Sequence, residues 1–357
     1  MSLNAICPYY TMFPVEFPLS VLDGLPPESW VLDPFCGRGT TLFAARKLGL
    51  PSVGFDVNPV ATAIAAVKLI TVTPDEIVTL AKTILKRRTQ DEHPDGEFWL
   101  HAFHPKTFRD ILKLRRGLAG RNDPAAIALR AIVLGCLHGP QLKTKDSYLS
   151  NQMPRTFASK PGYSVKFWQE RGIEARKVDT LALIAEKAQR FFSELDETPG
   201  GQVFETDARE IPELEHRVAA TVTSPPYFGM TTYVQDQWLR NWFLGGPPNL
   251  DYRHQSQICK GTKQEFMVEL GRVWRRVAEV STPGAILAIR FGALCATPAI
   301  PEDIVRGSLA ASGVPWVVED VRNAGAAIGN KRQANQMGSN ASSKNAIEEV
   351  DVICRLH

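Results

Sequence analysis

Apolar residues along this chain fall into two patterns, and the two occupy different stretches. Short runs in which apolar residues stand next to one another or alternate predict strands. Such runs are Trp30-Val31-Leu32-Asp33, Ser52-Val53-Gly54-Phe55-Asp56, Gln202-Val203-Phe204-Glu205-Thr206-Asp207, Ala219 to Thr223, Ala285 to Phe291, Val314 to Val321 and Ile347 to Arg355. Helical spacing appears between them at Thr40 to Leu48, where Leu42, Ala45 and Leu48 share a side, at Pro59 to Leu69 and at Pro301 to Ser312. From about Thr73 to Pro199 the helical period takes over, at Pro74 to Arg88, Lys106 to Leu118, Ala125 to Cys136 and Ala175 to Leu195. An irregular stretch, Gly139 to Ser164, interrupts it. A second one, Arg322 to Ala346, is rich in Gly, Asn, Gln and Ser and separates the last two predicted strands. An irregular segment of that length calls for a function or for disorder. No internal repeat is visible.

These patterns predict an α/β fold in three parts: 1–72, a largely helical insertion at 73–200, and 201–357. Residues 30–56 read as strand, glycine turn, helix, and strand with a terminal acid, which is the pattern of a nucleoside-binding α/β unit.

Composition changes little. The chain has 357 residues, 44% hydrophobic and 22% charged, ordinary values for a soluble globular protein. It has no run of 18 or more apolar residues, so no membrane partner is expected. Met1 to Pro18 lacks a basic start followed by an apolar run, so no secretory signal is expected. Six cysteines are scattered without a Cys-x-x-Cys pair, which predicts no metal site and no disulfide framework and fits a reducing cytoplasm.

Charge is more informative in its distribution. His101 to Arg190 holds 17 Lys and Arg against 7 Asp and Glu, a local net of +10, so within a total of +3 the rest of the chain carries −7. A basic middle of this kind suits a polyanionic partner, and equally suits solvated basic helix faces.

Two motifs carry the chemistry. The first is Asp33-Pro34-Phe35-Cys36-Gly37-Arg38-Gly39-Thr40-Thr41, whose glycines let backbone approach a ligand closely and whose N–H groups, with the following helix N-terminus, can hold a carboxylate. The second is Ser224-Pro225-Pro226-Tyr227, behind an apolar strand. An exocyclic amine on an aromatic ring is a poor nucleophile because its lone pair is conjugated. Two acceptors pulling on the amino hydrogens turn that nitrogen toward sp³. Ser224 Oγ and the Pro225 carbonyl can be those acceptors, in a turn that Pro225 and Pro226 stiffen. Tyr227 offers a face to a base taken out of the duplex. A Pro-Pro kink with a core tyrosine is the plainer alternative.

These residues resemble the S-adenosylmethionine-dependent DNA amino-methyltransferases, the N4-cytosine and N6-adenine DNA methylases, over residues 10–70 and 200–357. Asp33 to Thr41 is similar to their first motif, Gly54-Phe55-Asp56-Val57-Asn58-Pro59 to the second and Phe204 to Arg209 to the third. Met12-Phe13-Pro14-Val15 is similar to the segment that precedes the first. The resemblance implies a Rossmann-like methyltransferase fold, a mostly parallel seven-stranded sheet with its last strand antiparallel. It also implies S-adenosylmethionine as cofactor. Phe13, Pro14, Phe35, Gly37, Gly39, Thr40 and Thr41 would seat the methionine end, whose ammonium Asp33 would accept. Asp56 and Val57 would take the ribose side, and Asp207 and Ala208 the adenine, although Asp207 also suits an ordinary helix cap.

In that family Ser before Pro-Pro-Tyr leans toward cytosine N4 and Asp toward adenine N6, so cytosine is the expected target. A ring-carbon methylase would need a Pro-Cys nucleophile, and the chain contains no Pro-Cys. An N6-adenine enzyme, an RNA base methyltransferase, a catalytically silent nucleic-acid-binding subunit and a small-molecule methyltransferase remain as alternatives. The expected partner is duplex DNA, with a cognate restriction or defence protein as a further one. The insertion is the expected target-recognition region: Asn151, Gln152 and Arg155 are side chains that read base edges, while Lys143, Lys145, Lys160 and Lys166 suit phosphates. Lys331 and Arg332 mark a second DNA-facing loop. Trp238 and Trp242, four apart, suit either a cover over the base or a helix core face.

Overall fold

The computed structural model describes residues 2–9, 13–88, 93–141, 146–154, 160–194, 197–229, 237–250, 261–293, 299–326 and 348–357. Contacts divide the chain into two units. One comprises Tyr9–Ala65, Thr198–Thr231 and Ser256–His357, the other Met1–Pro8, Ala66–Glu197 and Thr232–Gln255.

The first unit is built on a seven-stranded sheet of β1 (Trp30–Asp33), β2 (Ser52–Asp56), β3 (Gly201–Glu205), β4 (Val218–Thr223), β5 (Ser281–Gly292), β6 (Trp316–Ala326) and β7 (Glu348–Leu356). Its order is β3-β2-β1-β4-β5-β7-β6. The pairs among β1 to β5 are parallel, whereas β7 is antiparallel to both β5 and β6. This is the Rossmann-like methyltransferase sheet expected from the resemblance. Strand order reverses direction at β1 and β4, which pair with Leu32 opposite Thr221. In such sheets the crevice at the carboxyl ends of the two switch-point strands is where ligands bind.

Helices α1 (Glu16–Leu22), α2 (Thr40–Lys47) and α3 (Pro59–Ala65) belong to the same unit. Phe17, Leu22, Ala44 and Ala45 from α1 and α2 bury against Val31, Ala220, Val222 and Ala288 of β1, β4 and β5. The start of α2 depends on Gly39, which adopts φ 81° and whose missing Cβ would lie 3.0 Å from Ala65 Cα at the end of α3. A side chain there would be strained and would push the two helices apart.

The second unit is helical: α4 (Pro74–Leu85), α5 (Glu97–Ala102), α6 (Pro105–Leu118), α7 (Pro124–Cys136), α8 (Pro161–Arg171), α9 (Thr180–Phe192) and α10 (Trp238–Phe243). Thr73, Asp123 and Asp179 cap α4, α7 and α9 through their side chains, and Pro opens α4, α6, α7 and α8. Its core is aromatic, with Trp99 against Phe108, Trp238 and Trp242. Arg240, 2% exposed, donates Nε to the Leu134 carbonyl and Nη1 to the Pro8 carbonyl and Gln237 Oε1, fastening α10 to α7 and to the chain's first residues.

Two more helices complete the sheet unit: α11 (Lys263–Val280), opened by a Thr262–Glu265 capping box, and α12 (Pro301–Ser312). Helices α1, α5 and α11 lie where the sequence predicts no element, α10 takes the helix core face that was one alternative for Trp238 and Trp242, and α8 begins inside the stretch expected to be irregular. Four of the five are short; α11 is not, and its buried Phe266, Leu270, Val273, Trp274 and Val277 do keep helical spacing. No described helix is long and apolar enough to cross a membrane.

Candidate cofactor and catalytic site

Asp33 ends β1 fully buried. Its Oδ1 accepts from the Phe35 N–H at 3.1 Å and from Thr223 Oγ1, the last residue of β4, at 2.6 Å. Its Oδ2 is buried with no hydrogen-bond partner. Burial pushes the Asp33 carboxyl up to about 6 against the lowering effect of Thr223, Thr41 and the Phe35 N–H.

The turn that follows folds back on the second strand. The Cys36 N–H donates to the Phe55 carbonyl, and the Gly37 N–H to Asp56 Oδ2 at 3.0 Å. Asp56 Oδ1 accepts from the Asn58 N–H at 2.9 Å, and burial pushes this carboxyl also up to about 6. The turn can press this close because β2 carries Gly54, whose Cβ would sit 3.0 Å from Cys36 Cβ. Val57, next to Asp56, is 50% exposed, an apolar side chain open beside an acid.

The other expected cofactor residues divide. Phe35 is partly buried edge-on to Trp274, Phe13 packs edge-on to Phe17, and Pro14 is exposed. Gly37 and Gly39 both have positive φ, but their N–H groups are taken by Asp56 and by the Cys36 carbonyl. The carboxylate grip expected of those two N–H groups is therefore not open in this conformation. Thr40 is buried. Thr41 is fully buried and donates its hydroxyl to the Val222 carbonyl of β4 at 2.9 Å, a contact between α2 and the sheet.

Asp207 is engaged by its own neighbours. Its carboxylate caps the 3₁₀ turn Ala208–Glu210 through the Arg209 N–H and pairs with the Arg209 guanidinium at 2.6 Å; Arg209 also reaches Glu269. Burial acts to raise the Asp207 carboxyl, but the Arg209 bonds and charge outweigh it and hold it below the usual range. The capping alternative is the one observed, and Ala208 is buried behind it.

The tetrapeptide leaves β4 directly after Thr223. Ser224 and Pro226 are partly exposed and Pro225 is buried. Tyr227, 8% exposed, stands edge-to-face on Phe291 with centroids 5.4 Å apart, and its hydroxyl donates to Glu349 Oε1 at 2.7 Å.

Three residues of the site carried no sequence expectation. Tyr9 accepts from Asn58 Nδ2 at 3.1 Å and its ring would lie 3.8 Å from a Cβ on Gly37; its only signal was an aromatic just ahead of Phe13. Thr223 was signalled by its place before Ser224. Glu349 had no local signal.

The expected nucleic-acid residues are placed unevenly. Lys143, Lys145, Arg155, Lys331 and Arg332 lie outside the described residues. Lys160 is exposed at the start of α8. Asn151 and Gln152 bond within their own unit. Asn151 is 4% exposed, donates Nδ2 to the His101 and Ile173 carbonyls and accepts at Oδ1 from the Gln152 N–H. Gln152 accepts from the Gln141 N–H and donates to the Met153 carbonyl. Both amides satisfy the backbone of their own unit. Trp238 and Trp242 are core residues of the helical unit, 5% and 2% exposed. Among the described residues no group of three or more His, Cys, Asp or Glu could hold a metal.

Residues 5–67 match the DNA methylase family of the N6/N4 type. That match spans 63 of the 357 residues and takes in the turn after β1 and the strand β2. No curated protein matches the chain. Solved structures that align include an rRNA methylase from Streptococcus thermophilus (8% identity, 97% of this chain and 99% of that one, TM-score 0.37). Others are the rRNA methyltransferase aviRa from Streptomyces viridochromogenes (12%, 99% and 93%, 0.36) and the magnesium protoporphyrin IX methyltransferase of Synechocystis with bound S-adenosylmethionine (8%, 96% and 78%, 0.36). At these TM-scores the likenesses carry no argument, and the fold rests on the sheet order itself.

S-adenosylmethionine is the methyl donor to which this match points, and the residues of the site fit that molecule. The unpartnered, buried Asp33 Oδ2 suits an ammonium, the doubly bonded Asp56 carboxylate keeps lone pairs for hydroxyls, and the exposed Val57 suits an apolar ring face.

Proposed function

We propose that this protein is an N6/N4 DNA methylase that transfers a methyl group to the exocyclic amino group of a base flipped out of duplex DNA, with cytosine N4 as the target. The observation that carries the reading is the hydrogen bond from Thr223 to Asp33, which joins the start of the tetrapeptide to the start of the cofactor turn at the switch point of the sheet.

Bound S-adenosylmethionine supplies an electrophilic methyl on a sulfonium. What the chain supplies is orientation and two acceptors. Asp33 holds the ammonium end, and Asp56 with Val57 the ribose end. Ser224 Oγ and the Pro225 carbonyl accept from the amino hydrogens and return the nitrogen lone pair to a directed sp³ orbital. Pro225 and Pro226 fix that turn before substrate arrives, so little reorganisation is left for the reaction. Tyr227 supports the ring of the base. The serine of the tetrapeptide favours cytosine over adenine, and the basic segment 101–190 of the helical unit favours a phosphate backbone as its partner.

The test is transfer of labelled methyl from S-adenosylmethionine to duplex DNA of mixed sequence, followed by nucleoside mass spectrometry. A 4-methylcytosine product supports the reading. A 6-methyladenine product keeps the mechanism and overturns the base assignment. Methyl found in RNA and not in DNA overturns the substrate class.

A further inference from the structure

Strands β5 and β7 pair antiparallel, with Arg290 directly opposite Asp351 and Gly292 directly opposite Glu349. Residues two apart on a strand share a face, so these two rungs lie on one face of the sheet. In the first rung Arg290 donates Nε and Nη2 to the two Asp351 oxygens, each at 2.6 Å, with the guanidinium carbon 4.4 Å from the centre of the Phe17 ring. Asp351 is thereby fully engaged, and the register of β5 on β7 is locked. In the second rung one partner has no side chain, and Tyr227 occupies the space. A Cβ on Gly292 would lie 2.9 Å from Tyr227 Cε2 and Cζ and 3.1 Å from Glu349 Cγ. Glu349 in turn accepts the Tyr227 hydroxyl at 2.7 Å.

Resting on the reading that Tyr227 supports the target base, we propose that Glu349 is a positioning residue for Tyr227, with Gly292 as the notch that admits the ring. A tyrosine after Pro-Pro has two side-chain torsions to fix. The T-shaped contact with Phe291 limits the ring on one side, the missing side chain at Gly292 admits its edge, and the carboxylate acceptor fixes the hydroxyl. The ring plane is thus set before a base reaches it, and ordering it costs nothing at the moment of binding. Glu349 needs no contact with substrate, and lies 122 residues from the tyrosine it orients.

The experiment is a double-mutant cycle of Tyr227→Phe and Glu349→Ala, with Glu349→Gln beside them, read by methyl transfer to duplex DNA and by thermal unfolding. Glu349→Ala should lower kcat about tenfold, with the KM for S-adenosylmethionine unchanged, the loss expected for one charged hydrogen bond. Glu349→Gln keeps an acceptor oxygen and should recover kcat to within about threefold of wild type. Tyr227→Phe should lose as much as Glu349→Ala, and the double variant no more than either, because both remove one interaction. Gly292→Ala should mimic the loss. Additive losses, or no recovery in the glutamine variant, overturn the assignment, as does wild-type kcat in Glu349→Ala. The near-isosteric Tyr227→Phe and Glu349→Gln keep the test decisive if the alanine variant unfolds. If the wild-type chain transfers no methyl to DNA, the functional reading itself fails and the positioning role falls with it; coupling between the two side chains in thermal unfolding then reports only the contact.

Discussion

Thr223 Oγ1 donates a 2.6 Å hydrogen bond to Asp33 Oδ1, joining residues 190 apart in sequence. The bond exists because β1 and β4 are neighbours in the sheet, so their carboxyl ends stand side by side. Thr223→Val keeps the shape and removes the donor. It should lower stability by about 1–3 kcal/mol, since Asp33 is buried and loses a partner. It should also weaken S-adenosylmethionine binding, while Thr223→Ser restores both. Denaturant melts and calorimetric titration of the cofactor check this; a valine variant with wild-type cofactor affinity would make the bond purely structural.

The two raised carboxyls predict a pH dependence. Asp33 and Asp56 titrate near 6 when folded, against 3.8 as the ordinary value, so the folded chain holds these protons more tightly than the unfolded one. Their contribution to stability is greatest below about pH 4 and is lost as pH rises through about 6, an effect of about 3 kcal/mol for Asp33. Cofactor binding runs the other way, because an ammonium needs the ionised Asp33. Affinity for S-adenosylmethionine should fall as pH drops through about 6, and Asp33→Asn should bind weakly with a flatter profile. A pH-independent affinity between pH 5 and 8 would remove Asp33 from the ammonium site.

Ser224→Ala should depress turnover by about one hundredfold, the scale of losing one transition-state acceptor. Tyr227→Ala should depress it further. Both should bind S-adenosylmethionine nearly as wild type does, whereas Asp56→Ala should weaken cofactor binding first. Rates at saturating cofactor, set against titrated affinities, separate the two classes. Full activity in Tyr227→Ala would end its role in supporting the base.

Asn151→Ala should behave as a stability variant. Its amide bonds three backbone groups, at His101, Gln152 and Ile173, so removing it should cost roughly 2–4 kcal/mol without altering which DNA sequence is methylated. A stable variant with changed sequence preference would restore it as a base reader.

If the basic segment meets phosphates, binding to duplex DNA should weaken steeply with salt, and Lys160→Ala should reduce the log–log slope by about one. A flat salt response would place the contact elsewhere.

Strand runs such as Val31-Leu32-Asp33 and Ala219 to Thr223 were legible in the sequence because a buried parallel strand is a short apolar run whatever its partners. The cofactor turn was legible as well, since its glycine positions record a local backbone demand: Gly39 takes φ 81° against α3. The amphipathic period of α11 was present but read as no element, and α8 was hidden by the irregular composition that precedes it.

Polar side chains were the least legible. Asn151, Gln152, Asp207 and Thr41 are residue types that bind ligands and also types that satisfy backbone, and composition cannot choose between those uses. By itself the sequence determined the strands, the glycine turn, the proline-stiffened tetrapeptide and the basic charge of the helical segment, all properties of neighbours along the chain. Only the tertiary structure decided that Thr223 reaches Asp33 and Tyr227 reaches Glu349, and that Asn151 turns inward. Those depend on strand order and register, which bring together groups that no local period connects.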